Sequence, residues 1–273
     1  MSSAVASKPA DLDIGNLFQQ EADEGNLSAV SMNALNIIDI GAQLQAGLGV
    51  DLGASTQVSE VFLLTIVPDD SGSIRFAGNT KNVRDGVNSV LDAVLGSKQS
   101  SGIQAHIRLL NGDVICPFTP VSSAQRLTAS NYDPTRGTPL YDQAVITLAT
   151  VLAQTRVYLD QGIEVRSLTV FVTDGQDVHS RRNTARDVKA IVDDMRRQER
   201  HIVCGFGIED PQAPTDFHIV FREMGIPDEW ILTAKSDGSE IRRKFALVSQ
   251  SAVRASQASA GNFSANMMGG FGS

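Results

Sequence analysis

The sequence predicts an α/β protein with a doubly wound, mostly parallel sheet, helices on both faces and one antiparallel edge strand. Strand-like runs alternate with amphipathic helices along most of the chain. The runs are almost continuously apolar, which is typical of strands covered on both faces. Asn111-Gly112 joins two short alternating runs and predicts a tight hairpin turn. That hairpin supplies the antiparallel edge.

Composition narrows the class of protein. The chain has 273 residues, of which 42% are hydrophobic and 20% charged, enough for one α/β domain with appendages. Residues 1–60 hold one basic and eight acidic residues, a net charge of −7, which leaves −1 for the rest. Binding of nucleic acid requires a concentrated positive surface. We therefore expect no nucleic-acid partner.

The two cysteines and the hydropathy pattern indicate where in the cell the protein is expected. Cys116 and Cys204 lie in strand-like runs and are too few for a disulfide framework, so we expect two buried thiols in a reducing environment. We find no apolar stretch of signal-peptide length at the start and none that could span a bilayer. The expectation is a cytoplasmic protein without a membrane partner.

Three regions are predicted along the chain. Residues 1–55 form an acidic N-terminal extension in which the pattern over 14–48 predicts helix, packed on the domain rather than extended as an arm that docks on a partner. Residues 56–255 form the main domain. Residues 256–273 are rich in Gly, Ser and Ala, and we expect a flexible tail.

The elements of the main domain follow from local patterns. A buried strand begins at Val61 and stops at Asp69. Pro139 sits in the first turn of a helix that runs to about Leu159. We predict further helices at 82–95, 183–198 and 239–255, strands at 104–110, 114–118, 166–173, 201–207 and 230–233, and a loop at 122–137.

Oxygen-bearing side chains follow two of these strands and precede one helix. Asp69, Ser71 and Ser73 come directly after the first strand, Asp174 follows the strand at 166–173, and Thr138 precedes Pro139. The carboxyl ends of parallel strands share one edge of a sheet, so we expect these groups to lie close together. Hard divalent cations prefer oxygen ligands. Each motif alone is also typical of a helix cap or turn, but the three in this order favour an ion site.

Asp-Asp-Ser-Gly-Ser at 69–73, Gly-Thr-Pro-Leu-Tyr-Asp at 137–142 and Thr-Asp-Gly at 173–175 resemble a known arrangement. They look like the three parts of the metal-ion-dependent adhesion site of von Willebrand factor A domains. The resemblance covers about residues 61–208 and implies a Rossmann-like fold. It also implies that the chain holds Mg2+, with Mn2+ or Ca2+ as alternatives.

The resemblance implies a role for each candidate ligand. Ser71 and Ser73 would bind the ion directly, while Thr138, Asp69 and Asp174 would bind it directly or through water. In the family, an acidic side chain of a partner protein fills the remaining coordination position. The resemblance therefore implies a protein-binding module that is not an enzyme.

The last predicted helix gives a narrower likeness. Residues 240–255 are similar to the closing helix of bacterial cytoplasmic A domains associated with tellurium resistance and stress response. Such domains often act beside AAA+ ATPases or in multicomponent assemblies. The resemblance therefore implies that a protein partner offers an Asp or Glu to the metal, and that this partner is an AAA+ ATPase or another assembly component.

Two other function classes stay open. A metal-dependent phosphohydrolase would need a general base or a second metal near Asp69 and Asp174, and the sequence offers neither a second acidic cluster nor a phosphate-binding loop. A structural component of a large particle could use the acidic extension and the tail as assembly arms. Zinc-like histidine spacing is absent, and Cys204 has no identifiable base partner.

Overall fold

The computed structural model describes residues 13–36, 40–49, 59–210, 213–258 and 263–271. A six-stranded sheet with the order β3-β2-β1-β4-β5-β6 lies at its centre. β3 runs antiparallel to β2, and all other neighbouring pairs are parallel. The predicted fold class is confirmed. The strands are β1 (Glu60–Pro68), β2 (Ile103–Arg108), β3 (Val114–Pro120), β4 (Glu164–Thr173), β5 (His201–Glu209) and β6 (Ile231–Lys235).

Helices cover both faces of the sheet, as alternate residues of β5 show. Phe206 meets Phe245 of α9 (Gly238–Gln257) with ring centroids 5.0 Å apart, whereas Gly205 lies beneath Phe221 of α8 (Phe217–Glu223). Successive strand residues point to opposite faces, so α9 and α8 lie on opposite sides. The helices are α1 (Ile14–Asp23), α2 (Ala29–Ala34), α3 (Gly41–Gly47), α4 (Gly72–Phe76), α5 (Thr80–Leu95), α6 (Leu140–Leu159), α7 (Ala185–Arg197), α8 (Phe217–Glu223), α9 (Gly238–Gln257) and α10 (Ala265–Met268). Within the described ranges, no helix is both long and apolar enough to cross a membrane.

β1 occupies the interior of the sheet between β2 and β4. Its residues from Val61 to Pro68 are all buried, which explains the continuous apolar run. Pro68 pairs with Val172 of β4, and the amide of Asp69 extends the ladder by donating to the Val172 carbonyl at 2.8 Å. The parallel register therefore places Asp69 beside the carboxyl end of β4.

The predicted hairpin joins β2 and β3. Gly112 has φ 98°, a left-handed conformation that favours glycine, and the amide of Leu109 donates to the Asp113 carbonyl at 2.8 Å. The turn stands at the carboxyl end of β2. It therefore lies at the same sheet edge as Asp69.

The continuous helix expected over 14–48 is instead three short helices. Gly25 ends the first with φ 80°. Ser28 then caps α2, where its hydroxyl accepts the Ser31 amide at 3.3 Å. Apolar periodicity persists through these breaks because all three helices face the same core. Ile37 and Ile38 of the predicted stripe lie outside the described residues.

The described part of the N-terminal extension packs on the sheet domain. Phe18 in α1, Leu35 directly after α2 and Leu44 in α3 are fully or almost fully buried. Arg156 of α6 also holds α1 by an ion pair with the buried Glu21 at 3.2 Å. The extension thus contributes apolar residues to the common core.

The predicted flexible tail differs from the structure over its described residues. α9 runs to Gln257, and Phe263 is buried. The Phe271 ring packs edge-on against Trp230, with centroids 5.3 Å apart. The burial of Phe263 and the packing of Phe271 do not follow from the small-residue composition from which mobility was predicted. Residues 259–262 and 272–273 lie outside the described part.

Candidate metal centre

Asp69 is held from two directions at the end of β1. Its side chain is 0% exposed. One carboxylate oxygen, Oδ1, accepts the Ser71 amide at 2.7 Å, and the other, Oδ2, accepts the Thr173 hydroxyl at 2.6 Å. The first bond closes an Asx turn that directs the chain into α4. The second ties Asp69 to the last residue of β4.

A chain of hydrogen bonds links the next three predicted residues. The hydroxyls of Ser71 and Ser73 lie 2.8 Å apart, and Ser73 donates to Asp174 Oδ1 at 2.7 Å. Asp174 is only 3% exposed. Its other carboxylate oxygen, Oδ2, is buried and has no hydrogen-bond partner. The structure therefore brings Asp69, Ser71, Ser73 and Asp174 together, and it leaves one acceptor unsatisfied.

Thr138 reaches the same edge through backbone contacts of its loop. Arg136 pairs with Ser71 in an isolated parallel bridge, and the Arg136 carbonyl accepts the Gly72 amide at 3.0 Å. The amide of Thr138 donates to His179 Nδ1 at 2.9 Å. Among the hydrogen bonds of the described residues, the Thr138 hydroxyl takes no part in the serine chain. Thr138 is thus near the cluster without being bonded to it.

The Asp70 carboxylate supports the Thr138 loop. Its Oδ1 accepts the backbone and side-chain amides of Asn111 at 3.0 and 2.8 Å. Asn111 also donates to the carbonyl of Gly137 at 2.7 Å. The hairpin turn and the loop before Thr138 are thereby joined.

A reciprocal clamp joins the start of α6 to the loop after β4. The amide of Tyr141 donates to Asp177 at 3.3 Å, and that of Asp142 donates to Ser180 Oγ at 2.9 Å. In return, the Asp142 carboxylate accepts three successive amides, those of Arg181, Arg182 and Asn183. These bonds satisfy amides at the helix start that have no partner within the helix. They also connect the segment that follows Thr138 to the loop that follows Asp174.

Burial dominates the electrostatics of the two carboxyl groups. It raises the pKa of Asp69 to about 6, against hydrogen bonds from Thr173 and Ser71 that lower it. Burial likewise raises the pKa of Asp174 to about 7, and the negative charges of Asp69 and Asp210 add to that rise. Removing a carboxylate from water disfavours its charged form. A cation at this position would reverse both shifts.

The donor set suits a hard divalent cation. Two carboxylates and two hydroxyls are in hydrogen-bond contact, with the Thr138 hydroxyl on the adjoining loop. Mg2+ accepts such oxygen ligands and needs few carboxylates. Over the described ranges, no group of three or more His, Cys, Asp or Glu could hold a metal ion. The oxygen donors of the cluster are of the kind that hard divalent cations prefer.

Sequence patterns missed the residues that support the cluster. His179 lies in the loop after β4, and its ring accepts the Thr138 amide. It also lies 2.7 Å from where a Cβ on Gly137 would stand, which explains the glycine. Tyr132, in a predicted loop, donates its hydroxyl to the Asp69 carbonyl at 2.6 Å. No local pattern marks these long-range contacts.

The remaining reactive side chains behave as expected. Cys116 and Cys204 are free and buried, and burial raises the pKa of both thiols. His106 and His201 are also buried, and burial lowers the pKa of each. All four side chains are shielded from solvent.

Comparisons with known proteins gave only distant likenesses. No protein-family model and no curated protein matches the chain. Among solved structures, the pilus adhesin SpaC from Lactobacillus rhamnosus GG, in its open conformation, shares 14% identity at a TM-score of 0.47, over 73% of this chain and 30% of that chain. Mussel byssus proximal thread matrix protein 1 with a zinc-occupied MIDAS motif shares 13% at 0.47, over 71% of this chain and 46% of that chain.

Manganese-loaded TRAP protein of Plasmodium vivax shares 14% identity at a TM-score of 0.42, over 69% of this chain and 74% of that chain. The chain spans less than half the length of the SpaC and byssus proteins. At these identities and TM-scores, the likeness carries no functional conclusion for this chain.

Proposed function

We propose that the chain is a non-enzymatic protein-binding module of the von Willebrand factor A type, in which Mg2+ coordinates an acidic residue of a partner. Asp69, Ser71, Ser73, Thr138 and Asp174 would hold the ion. The observation that carries the proposal is the hydrogen-bonded chain from Ser71 through Ser73 to Oδ1 of Asp174, a carboxylate whose other oxygen, Oδ2, is buried without a partner. An unsatisfied buried acceptor is costly, and a cation would satisfy it.

The composition of the cluster favours binding of a further carboxylate. Bound Mg2+ would supply an electrophilic coordination position for an acidic side chain. Ser71 and Ser73 would contribute neutral oxygens, so that only Asp69 and Asp174 would offset the charge of the ion. Thr138 would stand on the adjoining loop, which His179 and Asn111 hold in place.

The wider setting of the module is also a proposal. A role in a stress response or multicomponent assembly, beside an AAA+ ATPase or another assembly component, rests on the resemblance of residues 240–255. A cytoplasmic location rests on the two cysteines and the hydropathy pattern. The acidic partner residue rests on the resemblance of the cluster to a metal-ion-dependent adhesion site. These parts of the proposal stand independently.

Titration of the EDTA-treated full chain with Mg2+ by calorimetry tests the ion site. We expect saturable binding by the wild type, and affinity weaker by tenfold or more in Asp174→Asn and Thr138→Ala, since ligand losses of this kind typically cost at least about tenfold. Thr128→Ala is the matched control because the Thr128 side chain is exposed and its hydroxyl contacts Ser130 and not a candidate ligand. A wild type that binds neither Mg2+ nor Mn2+ would refute the metal-bridged mechanism.

Two further measurements test the partner and the absence of catalysis. Capture from native lysate should depend on Mg2+ against EDTA and should be lost with Thr138→Ala. Capture that is indifferent to both changes would contradict the proposal. Phosphoester turnover that requires Mg2+ or Mn2+ and disappears in Asp69→Ala would make the protein an enzyme.

A further inference from the structure

The backbone of Thr138 is held from the loop that follows β4. Its amide donates to Nδ1 of His179 at 2.9 Å, and its carbonyl accepts the amides of Val178 and His179, each at 3.2 Å. A carbonyl at the start of an α-helix normally accepts the amide four residues further on. The amide of Asp142 instead donates to Ser180 Oγ. Both polar groups of the Thr138 backbone therefore have their partners in a different segment of the chain.

The His179 ring supplies the side-chain part of this arrangement. A ring nitrogen that accepts an N–H bond carries no proton, so the ring proton lies on Nε2. Thr138 is only 7% exposed and precedes α6, which begins at Leu140. Without the ring, its amide would lose its acceptor, and a buried donor without an acceptor is costly. His179 itself is exposed, so its substitution removes little packing.

Gly137 makes room for the ring beside Thr138. A Cβ on Gly137 would lie 2.7 Å from Nδ1 of His179 and 2.9 Å from both Cε1 and Cγ. The φ angle of Gly137 is not in the left-handed region, so space rather than backbone conformation requires glycine here. The imidazole ring therefore packs directly on the backbone of the residue that precedes Thr138.

We infer that His179 is a positioning residue for the ion: its Nδ1 fixes the backbone from which the Thr138 hydroxyl would reach the metal. This role rests on the proposed function and adds a residue that acts through Thr138 rather than by contact with the ion. The loop that carries His179 also follows Asp174. His179 therefore links two candidate ligands that lie on different segments. Groups that orient metal ligands typically change metal affinity by about 10–100-fold when they are removed.

Three substitutions of His179 separate the hydrogen-bond acceptor from the bulk of the ring. Asparagine carries its amide oxygen on Cγ, the carbon that carries Nδ1 in histidine, whereas glutamine carries its oxygen one carbon further out and alanine has no acceptor. Mg2+ affinity is measured by calorimetry on the EDTA-treated full chain. It should be about tenfold weaker in His179→Ala and His179→Gln, and within about threefold of the wild type in His179→Asn.

His218→Ala is the matched control for these variants. The His218 side chain is 44% exposed, and its Nδ1 lies 3.2 Å from Asp228 Oδ1 rather than against a candidate ligand. Its substitution also removes an exposed imidazole that contacts another segment. The Mg2+ affinity of this variant should equal that of the wild type.

Gly137→Ala breaks the same contact from the opposite side. The added Cβ would displace the His179 ring, which is exposed and can turn into solvent. We expect Mg2+ affinity to weaken by about as much as in His179→Ala. In the double variant Gly137→Ala with His179→Ala there is no ring to displace, so the second substitution should add no further loss.

The Thr138→Ala background tests whether His179 acts through Thr138. Where the threonine hydroxyl is absent, its position no longer matters, so His179→Ala should not weaken Mg2+ binding further. An equal loss in both backgrounds would mean that His179 acts independently of Thr138, and it would overturn the inference.

Hydrogen exchange followed by NMR in EDTA gives a readout that needs no metal. The Thr138 amide should exchange about tenfold faster in His179→Ala than in the wild type, because it has lost its acceptor. His179→Asn should restore slow exchange. Long-range proton–nitrogen spectra of the wild type should show the ring proton of His179 on Nε2.

The outcomes distinguish this inference from the proposed function. Wild-type Mg2+ affinity in His179→Ala, or equal weakening in His179→Asn and His179→Ala, overturns the positioning role and leaves the ion-bridged function intact. A wild type with no saturable binding of Mg2+ or Mn2+ overturns the proposed function, and the positioning role falls with it.

Discussion

Asp69 and Asp174 are the two residues on which the candidate site most depends. Both are almost completely buried, and burial raises the pKa of each. In the metal-free protein at neutral pH, ionising them costs stability because a buried carboxylate has lost its hydration. Hydrogen bonds from Thr173 and Ser73 offset part of this cost. A bound cation would offset far more.

This cost predicts how pH affects the metal-free protein. Asp174 has a folded pKa of about 7 against an ordinary value of 3.8. The folded state therefore retains a proton that the unfolded state releases between about pH 4 and 7, and stability falls as pH rises through that range. As pH rises over this range in EDTA, we expect the free energy of unfolding of Asp174→Asn to fall by roughly 2–4 kcal/mol less than that of the wild type. Urea unfolding at several pH values measures the difference.

Saturating Mg2+ provides the control for this prediction. The cation binds the deprotonated carboxylates, so it should stabilise the wild type increasingly as pH rises. Asp174→Asn should show little of this stabilisation. Parallel pH profiles of the wild type and Asp174→Asn in EDTA would show that Asp174 does not carry the cost.

At the scale of elements, glycines permit close contact between helices and between helix and sheet. A Cβ on Gly86 of α5 would lie 2.1 Å from the Phe245 ring of α9. Likewise, a Cβ on Gly207 of β5 would meet the Phe217 ring of α8 at the same distance. Large aromatic rings fill the space that each glycine leaves. These contacts set the separation between layers.

We therefore expect Gly86→Ala to destabilise the fold. Phe245 is buried and also packs against Phe206, so it cannot yield without disturbing the sheet. Overpacking should cost about 1–3 kcal/mol. Replacing glycine by alanine within a helix gains about 1 kcal/mol. The cost exceeds this gain except at the lower end of its range, so the net effect is a loss of stability. Chemical denaturation measures the change in the free energy of unfolding.

Gly96→Ala, at the end of the same helix, is the matched control. Gly96 has φ −75°, which alanine adopts readily, and a Cβ there would meet nothing closer than 3.4 Å. Its stability should be unchanged or slightly raised. If both variants behave alike, contact between α5 and α9 does not limit the fold.

At the scale of the whole molecule, buried charge ties the N-terminal helices to the sheet domain. Asp194 of α7 accepts the Ser28 amide at 2.7 Å and the Ser31 hydroxyl at 2.5 Å, and it also pairs with Arg197. Asp194 is almost fully buried. Removing one partner from such a buried group leaves the others unsatisfied. The extension and the domain should therefore unfold together.

Asp194→Ala tests this dependence. We expect a loss of about 2–4 kcal/mol in the free energy of unfolding, with faster amide exchange over residues 14–34. Asp193→Ala is the control, because Asp193 pairs with Lys189 in a partly exposed i,i+4 contact. Its effect should stay within about 0.5 kcal/mol. An unchanged main transition in Asp194→Ala would mean that α1 and α2 form an independent arm.

Local patterns predicted the sheet and the candidate ligands because both depend on short-range rules. An apolar run that ends at Asp69, and another that ends before Asp174, are sufficient to place both carboxylates at one edge once the strands are parallel. Helix breaks near Gly25 were harder to see, because the apolar periodicity of the flanking helices continues across them. The packed aromatic residues of the tail were missed because their partners are distant in sequence.

The sequence by itself determined the alternation of strands and helices, the antiparallel edge and the order of the oxygen-bearing residues. Apolar periodicity and turn chemistry are properties of neighbouring residues, so they can be read without coordinates. Only the tertiary structure decided that Asp174 keeps an unpaired oxygen, that His179 supports Thr138 and that Phe76 stays exposed. Burial and hydrogen-bond partners arise from segments distant in sequence that meet only in the folded chain.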